Sequence, residues 1–330
     1  MMKTFSATQI KILNALADGL CHSGNQLGIL LGISRTAVWK QIKQLVDLSV
    51  PILTIPQQGY RLASPIKFLD EITIHQALIG NDFPLPLHVH LFASIDSTNR
   101  FLKELPQSMS MDICCAERQT EGRGRFGRHW HSPFGENIYL SSRWSFNCDL
   151  SQLSGMSLVV SLAILSALEK LNIHEGIRVK WPNDLLWNGK KLCGSLIEIN
   201  AESHGITEVV IGIGLNVNSA TNHQLPLDRP WCSLYDITGQ PWDRNLLIVQ
   251  LIMQLYDTLQ QFLLHGFSFF QEQWQRVDYL KNQVIRVNYP LGFLCGQAQG
   301  VNEAGQLILV DKDGKAHYLS SGDTSLHGVE

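Results

Sequence analysis

The chain has 330 residues, 45% of them hydrophobic and 17% charged, and a net charge of −3. This composition excludes intrinsic disorder and a collagen-like repeat, and the length predicts two or three domains with at least one sizeable core. Seven cysteines without a CxxC pair exclude a disulfide framework and a zinc ribbon, and predict reduced thiols in a cytoplasmic protein.

Residues 1–13 carry Lys3 but no apolar run or small-residue cleavage site, so no secretory leader is expected. Ile10, Leu13, Leu16 and Ala17 recur at helical spacing and end at Gly19. Ser23, three residues before Gln26, is a capping box that opens a short helix to Leu31. Gly32 breaks it, and Ser34 caps a third helix to about Leu48. In that helix Val38, Ile42 and Leu45 share one face, whereas Thr36, Trp39, Lys40 and Lys43 share the other. Residues 51–62 read as two short strands around Gln57-Gln58-Gly59. Residues 1–62 hold a charge of +4, leaving −7 for the rest. Together these features predict a winged helix-turn-helix over residues 1–64, with Ser34, Arg35, Thr36, Trp39, Lys40 and Lys43 facing the DNA major groove. The alternative is a brace that binds no operator, with Trp39 packed against the remainder of the chain.

Ala63-Ser64-Pro65 forms the seam. A helix is expected near residues 69–78, then strands at 87–94, 113–117 and 138–144. Residues 150–168 have no charge, but five serines, Gln152 and Gly155 make them a packed helix with Ser154, Ser157 and Ser161 on one stripe, not a membrane span. Strands at 178–180, 185–187, 194–199 and 208–214 and helices near 245–264 and 267–275 complete a mixed-sheet α+β domain over residues 65–278. Short strands at 283–288, 294–301, 307–310 and 316–319, with turns at 302–305 and 311–314, predict a small β-barrel over residues 279–330.

Gly122-Arg123-Gly124-Arg125-Phe126-Gly127 matches the spacing of a dinucleotide fingerprint, but it runs into His131-Ser132-Pro133 and a strand instead of opening a helix. What remains is a glycine-rich anion loop. Glycines let backbone N–H groups approach the ligand, and Arg123, Arg125 and Arg128 supply forks for phosphate oxygens. Mutual repulsion of the three predicts an empty loop that an anion would order, and Trp130 is placed to stack on a nucleobase. Ser97-Thr98-Asn99 offers three small hydrogen-bonding groups for an uncharged polar ligand, or a cap for the next helix. Lys180-Trp181-Pro182-Asn183-Asp184 joins a cation, an aromatic ring and two metal-compatible oxygens. Lys191 stands just before Cys193-Gly194, where glycine allows close approach, and Gly212 to Asn218 ends a strand with Asn216 and Asn218.

In that order, STN, GRGRFGRHW, KWPND, KLCG and GxGxNVN resemble the biotin–protein ligase family, and the basic head resembles its bifunctional members that also repress a biotin operon. The resemblance implies an α+β fold: a winged helix-turn-helix, a biotin/lipoyl-ligase-type catalytic domain and a small SH3-like barrel. It implies ATP-dependent activation of biotin to biotinyl-5′-AMP, then transfer to a lysine of the biotin carboxyl carrier protein of acetyl-CoA carboxylase. Ser97, Thr98, Asn99, Gln119, Arg123, Gly124, Arg125, Lys191 and Gly194 would bind biotin. Arg125, Arg128, Trp130, Asn183 and Asn216 would bind nucleotide, Asp184 would hold Mg2+, and Arg125, Lys180 and Lys191 would be catalytic. Operator DNA and an adenylate-promoted homodimer would be the partners, with no membrane. His327 stands where the family often has an arginine reaching toward the nucleotide, which implies weaker ATP binding. Two rivals remain: a lipoate ligase or octanoyltransferase, the latter using Cys193 as nucleophile, and an inactive ligand-sensing repressor.

Overall fold

The computed structural model describes residues 5–106, 110–173, 175–201, 206–220, 229–289 and 292–326. Helices α1 (Ala7–Leu16), α2 (Gly24–Leu31) and α3 (Arg35–Asp47) start where small polar residues satisfy free N–H groups. Ser6 and Ser23 form capping boxes with Gln9 and Gln26, and the Ser34 hydroxyl accepts from the Ala37 N–H at 3.2 Å. Gly32 ends α2 at φ +67°, a left-handed conformation natural to glycine. Strands β1 (Ile52–Ile55) and β2 (Gly59–Leu62) pair antiparallel as the wing. Val38, Ile42 and Leu45 are buried, as their spacing requires.

The seam is a change of pattern without a break in packing. Ile66 and Phe134 belong to the same apolar core as the head, and Phe5, Phe68 and Phe134 meet edge to face at 5.9–6.4 Å. The linker is also bolted to the next domain by a buried ion pair. Arg244 Nη1 donates to Glu117 at 2.7 Å, Arg244 Nη2 donates to the Lys67 carbonyl, and the Leu69 N–H donates to the other Glu117 oxygen. Burying either charge alone would cost several kcal/mol, roughly 3–5 by analogy with broken buried pairs, so the two fix each other.

Asp70 caps helix α4 (Glu71–Gly80). The central domain then runs β3 (Leu87–Phe92), α5 (Thr98–Glu104), β4 (Met111–Ala116), β5 (Ile138–Phe146), α6 (Met156–Lys170), β6 (Ile177–Lys180), β7 (Asp184–Trp187), β8 (Lys190–Ala201), β9 (Thr207–Leu215), α7 (Leu234–Thr238), α8 (Arg244–His265) and α9 (Gln271–Val277). Its seven-stranded sheet has the order β3-β4-β5-β9-β8-β7-β6; only β3 and β4 are parallel, which confirms a mixed sheet. Helices α6 and α8 bury their apolar faces in the same core as this sheet.

The uncharged stretch is not one helix. Residues Leu150–Leu153 form a 3-10 turn, and Gly155 at φ +83° sits where a Cβ would lie 2.8 Å from Phe267. Helix α6 starts only at Met156, so Ser154 leaves the expected stripe and donates to the Ala304 carbonyl at 2.7 Å. Among the described residues no helix is long and apolar enough to cross a membrane.

The C-terminal segment folds as β10 (Val284–Tyr289), β11 (Gly292–Val301), β12 (Leu307–Val310), β13 (Ala316–Leu319) and β14 (Asp323–Leu326), an antiparallel sheet of order β13-β12-β11-β10-β14. Strand β14 is too short and polar to be read from pattern. It pairs with β10 and lies on the central domain: Thr324 Oγ1 donates to the Trp181 carbonyl at 3.2 Å, and Lys180 Nζ donates to the Thr324 carbonyl at 2.6 Å.

Candidate active site

Strand β3 delivers Ser97, Thr98 and Asn99 to the first turn of α5, and the Glu117–Arg244 anchor fixes the chain two residues before Gln119. Ser97 does cap the helix, accepting weakly from the Arg100 N–H at 3.4 Å. The Thr98 N–H and hydroxyl both donate to Gln119 Oε1, at 2.9 and 3.1 Å. Behind them Ser141 Oγ lies 2.7 Å from Thr98 Oγ1 and 2.6 Å from Asn99 Oδ1. The Asn99 amide donates to Glu198 at 2.9 Å and to the Leu196 carbonyl at 3.3 Å, and its side chain rests on Gly212, where any Cβ would collide with it. Ser141 was missed in the sequence. The signal was present, because Ser141-Ser142-Arg143 are three polar residues inside an otherwise buried strand.

The backbone of the arginine loop is bridged by Gly124 N–H to Arg128 O at 2.7 Å and Trp130 N–H to Gly122 O at 2.8 Å, and a 3-10 turn, Arg125–Gly127, holds Phe126 at φ +56°. Repulsion among the arginines is relieved because each has its own partners. Arg123 lies 3.7 Å from Glu198; Arg125 donates to Asn183 Oδ1 at 3.4 Å and the Gly322 carbonyl at 3.3 Å; Arg128 donates to Asp323 at 2.9 Å. Burial lowers the Arg125 pKa. The Trp130 indole lies on Gly214, which leaves no room for a Cβ, and its buried Nε1 has no hydrogen-bond partner among the described residues.

Strand β6 ends at Lys180, residues 181–183 turn, and β7 starts at Asp184. Asn183 Nδ2 donates to the Ser195 carbonyl at 2.6 Å. The Lys191 amine pairs with Asp184 at 2.7 Å, crosses Gly194, and stands 5.3 Å over the Trp130 ring. Burial pushes the Lys180 ammonium down to about 8. Asn216 Nδ2 donates to the carbonyls of Lys191 and Cys232, at 3.3 and 3.0 Å, and so holds the strand that carries Lys191. Cys193 points into the apolar core, and burial pushes its thiol far up, which removes the basis for a thiol nucleophile.

All these residues line one cavity of about 460 Å³, a volume suited to a small ligand: Ser97, Thr98, Asn99 and Gln119 at one end; Arg123, Gly124, Arg125, Arg128 and Trp130 along the loop; Lys180, Asn183, Asp184, Lys191, Gly194 and Asn216 opposite. Two further residues were not anticipated. Arg229 and Asp323 also line it, and Arg229 donates to Asp323 at 2.7 and 3.3 Å. Burial alone would raise the Asp323 carboxyl, but hydrogen bonds from Arg128 and Arg229 outweigh it and hold the group well below the carboxylate range. No group of three or more metal-ligating side chains occurs among the described residues. His327 lies outside the described residues.

The second expected site lies on α3, where Ser34, Arg35, Thr36, Lys40 and Lys43 are exposed. Trp39 is 54% exposed with the Lys43 amine 5.6 Å over its ring, so it does not pack against the catalytic domain.

Residues 91–216 match the model of the biotin/lipoate A/B protein ligase family, and residues 8–61 match a helix-turn-helix domain. The bifunctional ligase/repressor BirA of Salmonella typhimurium is 36% identical over 97% of this chain and 98% of its own. The protein of the same name from Escherichia coli is 35% identical, again over 97% and 98%. Among solved structures, the biotin protein ligase from Aquifex aeolicus in complex with biotin and ATP superposes with a TM-score of 0.60 at 29% identity, over 73% of this chain and 98% of that one. A catalytic domain, a helix-turn-helix head and likeness over almost the full length of both chains place this protein in the biotin protein ligase family, among its bifunctional ligase/repressors.

Proposed function

We propose that the protein activates biotin with ATP and transfers it to a lysine of a biotin carboxyl carrier protein, and that the adenylate also controls transcription through the winged head. The observation that carries this reading is the polarity of the cavity. Uncharged hydrogen-bonding groups, Ser97, Thr98 and Gln119, stand at one end, and six cationic side chains against two carboxylates surround the rest. A ureido ring with an acid tail joined to a nucleotide phosphate has that polarity.

In the first step a carboxylate oxygen of biotin attacks the α-phosphorus of ATP, the bond to the β-phosphate breaks, and pyrophosphate leaves. In the second a lysine amine attacks the acyl carbon, AMP departs, and the amine proton is lost. Neither step needs an enzyme nucleophile, consistent with the inert Cys193. Lys191 and Arg125 bring two anions together and offset charge growing on the phosphate, and Lys180 adds to the same field. Trp130 offers the adenine a ring face. Asp184 with nucleotide oxygens would hold Mg2+, which would shield the departing pyrophosphate; one carboxylate plus phosphates is an ordinary magnesium environment.

The exposed basic face of α3 supports operator binding through Ser34, Arg35, Thr36, Trp39, Lys40 and Lys43, and the exposure of Trp39 removes the argument for a purely structural brace. We read the five-stranded C-terminal sheet as the SH3-like barrel, the three sequence segments 1–64, 65–278 and 279–330 as the domains, and the seven unpaired thiols as the mark of a cytoplasmic protein. Biotin-dependent exchange between ATP and pyrophosphate, with lipoate and octanoate as controls, tests the enzyme: exchange with biotin alone is expected, and none with any acid would leave an inactive sensor. For the repressor, biotinyl-5′-AMP should promote a homodimer and tighten operator binding. If it changes neither, that half of the proposal is wrong.

A further inference from the structure

Arg128 reaches Asp323 from the glycine-rich loop, and Arg229 reaches it from the segment that bridges to Lys191 through Trp231. Both are bidentate: Arg128 donates to both carboxylate oxygens, and Arg229 donates to them at 3.3 and 2.7 Å. Two guanidinium forks closing on one anion from different segments is the arrangement in which arginines hold a phosphate. The residues on either side of Asp323 do something different. The Gly322 carbonyl accepts from Arg125 and the Thr324 carbonyl accepts from Lys180. Residues 322–324 therefore separate two cationic clusters by a single residue. Arg125, Lys180 and Lys191 gather on the Asn183-Asp184 side, and Arg128 and Arg229 gather on the Asp323 side chain.

We infer that Arg128 and Arg229 form the subsite for the pyrophosphate that leaves in the adenylation step, and that Asp323 is the resident anion which pyrophosphate displaces. The inference rests on the proposed function and assigns a role to Arg229, which no motif marks. It follows from charge and position. The first cluster belongs with the α-phosphate, because Lys191 lies there between Asp184 and Trp130. A nucleoside triphosphate carries most of its charge beyond that phosphate, on the β and γ groups. The nearest cations left to meet it are the two already held by a carboxylate. The Arg128 and Arg229 side chains are 50% and 41% exposed, so a ligand can reach both forks from solvent, and exchanging the carboxylate for another anion keeps both charges paired. A pyrophosphate of higher charge outcompetes a single carboxylate. After it leaves, Asp323 reoccupies the forks and favours its release.

The test is the KM for magnesium pyrophosphate in biotin-dependent exchange, paired with the affinity for biotinyl-5′-AMP, which lacks the β and γ phosphates. Arg229→Gln should raise the KM for pyrophosphate and for ATP about tenfold, or about 1.4 kcal/mol. Its affinity for biotinyl-5′-AMP should stay within about twofold, as expected when the lost contact is to an absent group. Arg229→Lys, which keeps the charge and loses the fork, should fall between. Asp323→Asn should lower the KM for pyrophosphate. Unchanged KM values in Arg229→Gln would overturn the inference, as would an equal loss of adenylate affinity, since Arg229 would then act at the α-phosphate. An increased KM in Asp323→Asn would show that the carboxylate holds the arginines in place instead of yielding to the ligand. Absence of exchange in the parent protein is a separate result, which removes the proposed function itself.

Discussion

At the end of the cavity lined by Ser97 and Thr98 the side chains are buried and bonded to partners of the same domain, whereas at the opposite end the cations are half-exposed and held partly by the C-terminal strand. The polar end has the economy of a neutral recognition site. Thr98, Gln119, Ser141 and Asn99 fix one another's orientation, so a ligand meets a preset pattern and little order is created on binding. The cationic end cannot be built so. Six positive side chains without counter-ions would repel, so the fold gives them partners: Asp184 for Lys191, Glu198 for Arg123, Asp323 for Arg128 and Arg229, and backbone carbonyls for Arg125 and Lys180. Recognition is permanent at one end and exchangeable at the other.

The largest effect should come from the exchangeable end. Lys191→Ala leaves Asp184 unpaired and removes the amine nearest the reacting groups. Exchange should fall by about 100- to 1,000-fold, the usual loss when a group that stabilises developing charge is deleted. Biotin affinity measured without nucleotide should change much less, and an equal loss in both would show that Lys191 serves the polar end too. Arg125→Gly comes next. It removes a half-buried fork that lies between Asn183 and Gly322, and adenylate should dissociate about 10- to 100-fold faster, as expected for a lost charge-assisted hydrogen bond. Normal retention of the adenylate in this variant would refute its phosphate role.

The polar end is broken most directly by Gln119→Ala. Its oxygen accepts both the N–H and the hydroxyl of Thr98, so the substitution strands two donors and frees Thr98 to rotate. Biotin affinity should drop about tenfold, corresponding to one neutral hydrogen-bond site lost with its geometry. The KM for pyrophosphate should hold. A shared loss would mean that the two ends are mechanically coupled through the loop that joins Gln119 to Arg128.

Much of this was legible in the sequence for a physical reason. Capping serines followed by glutamine, a glycine after a helix, and arginines interleaved with glycines are local requirements, satisfied within a few residues. What escaped depends on contacts between distant residues. Arg229 and Asp323 are 94 positions apart and no pattern near either one announces the other. Gly155 breaks the serine-rich stretch because Phe267 crowds it, and Phe134 joins the core of a head that ends some 70 residues earlier. Strand β14 looks polar because its work is done by the Asp323 side chain and by the backbone carbonyls of Thr324 and of Gly322 just before it, which no hydropathy pattern can record. The partners of Arg123 and Arg128 are equally remote in sequence, since Glu198 and Asp323 come from β8 and β14.

The finest distinction between the ends is a pH profile. Lys180 is the cation most affected by burial, which brings its pKa to about 8, with the carboxylates of Asp184 and Asp323 opposing the shift. Below that pH the amine is charged and attracts phosphate; as pH rises through about 8 the charge is lost, while the neutral amine still donates to the Thr324 carbonyl, so the fold is kept. The value of kcat/KM for ATP reports groups on the free enzyme and should therefore fall a few-fold above pH 8. Lys180→Arg keeps its charge through this range and should flatten the profile. Recognition of the uncharged end of biotin by Ser97, Thr98 and Gln119, which carry hydroxyl and amide groups and no acid or amine, should show no such fall. If ATP and biotin lose affinity together, or if the arginine variant keeps the same profile, the titrating group is not Lys180, and the separation of a neutral end from a charged one loses its clearest measurable sign.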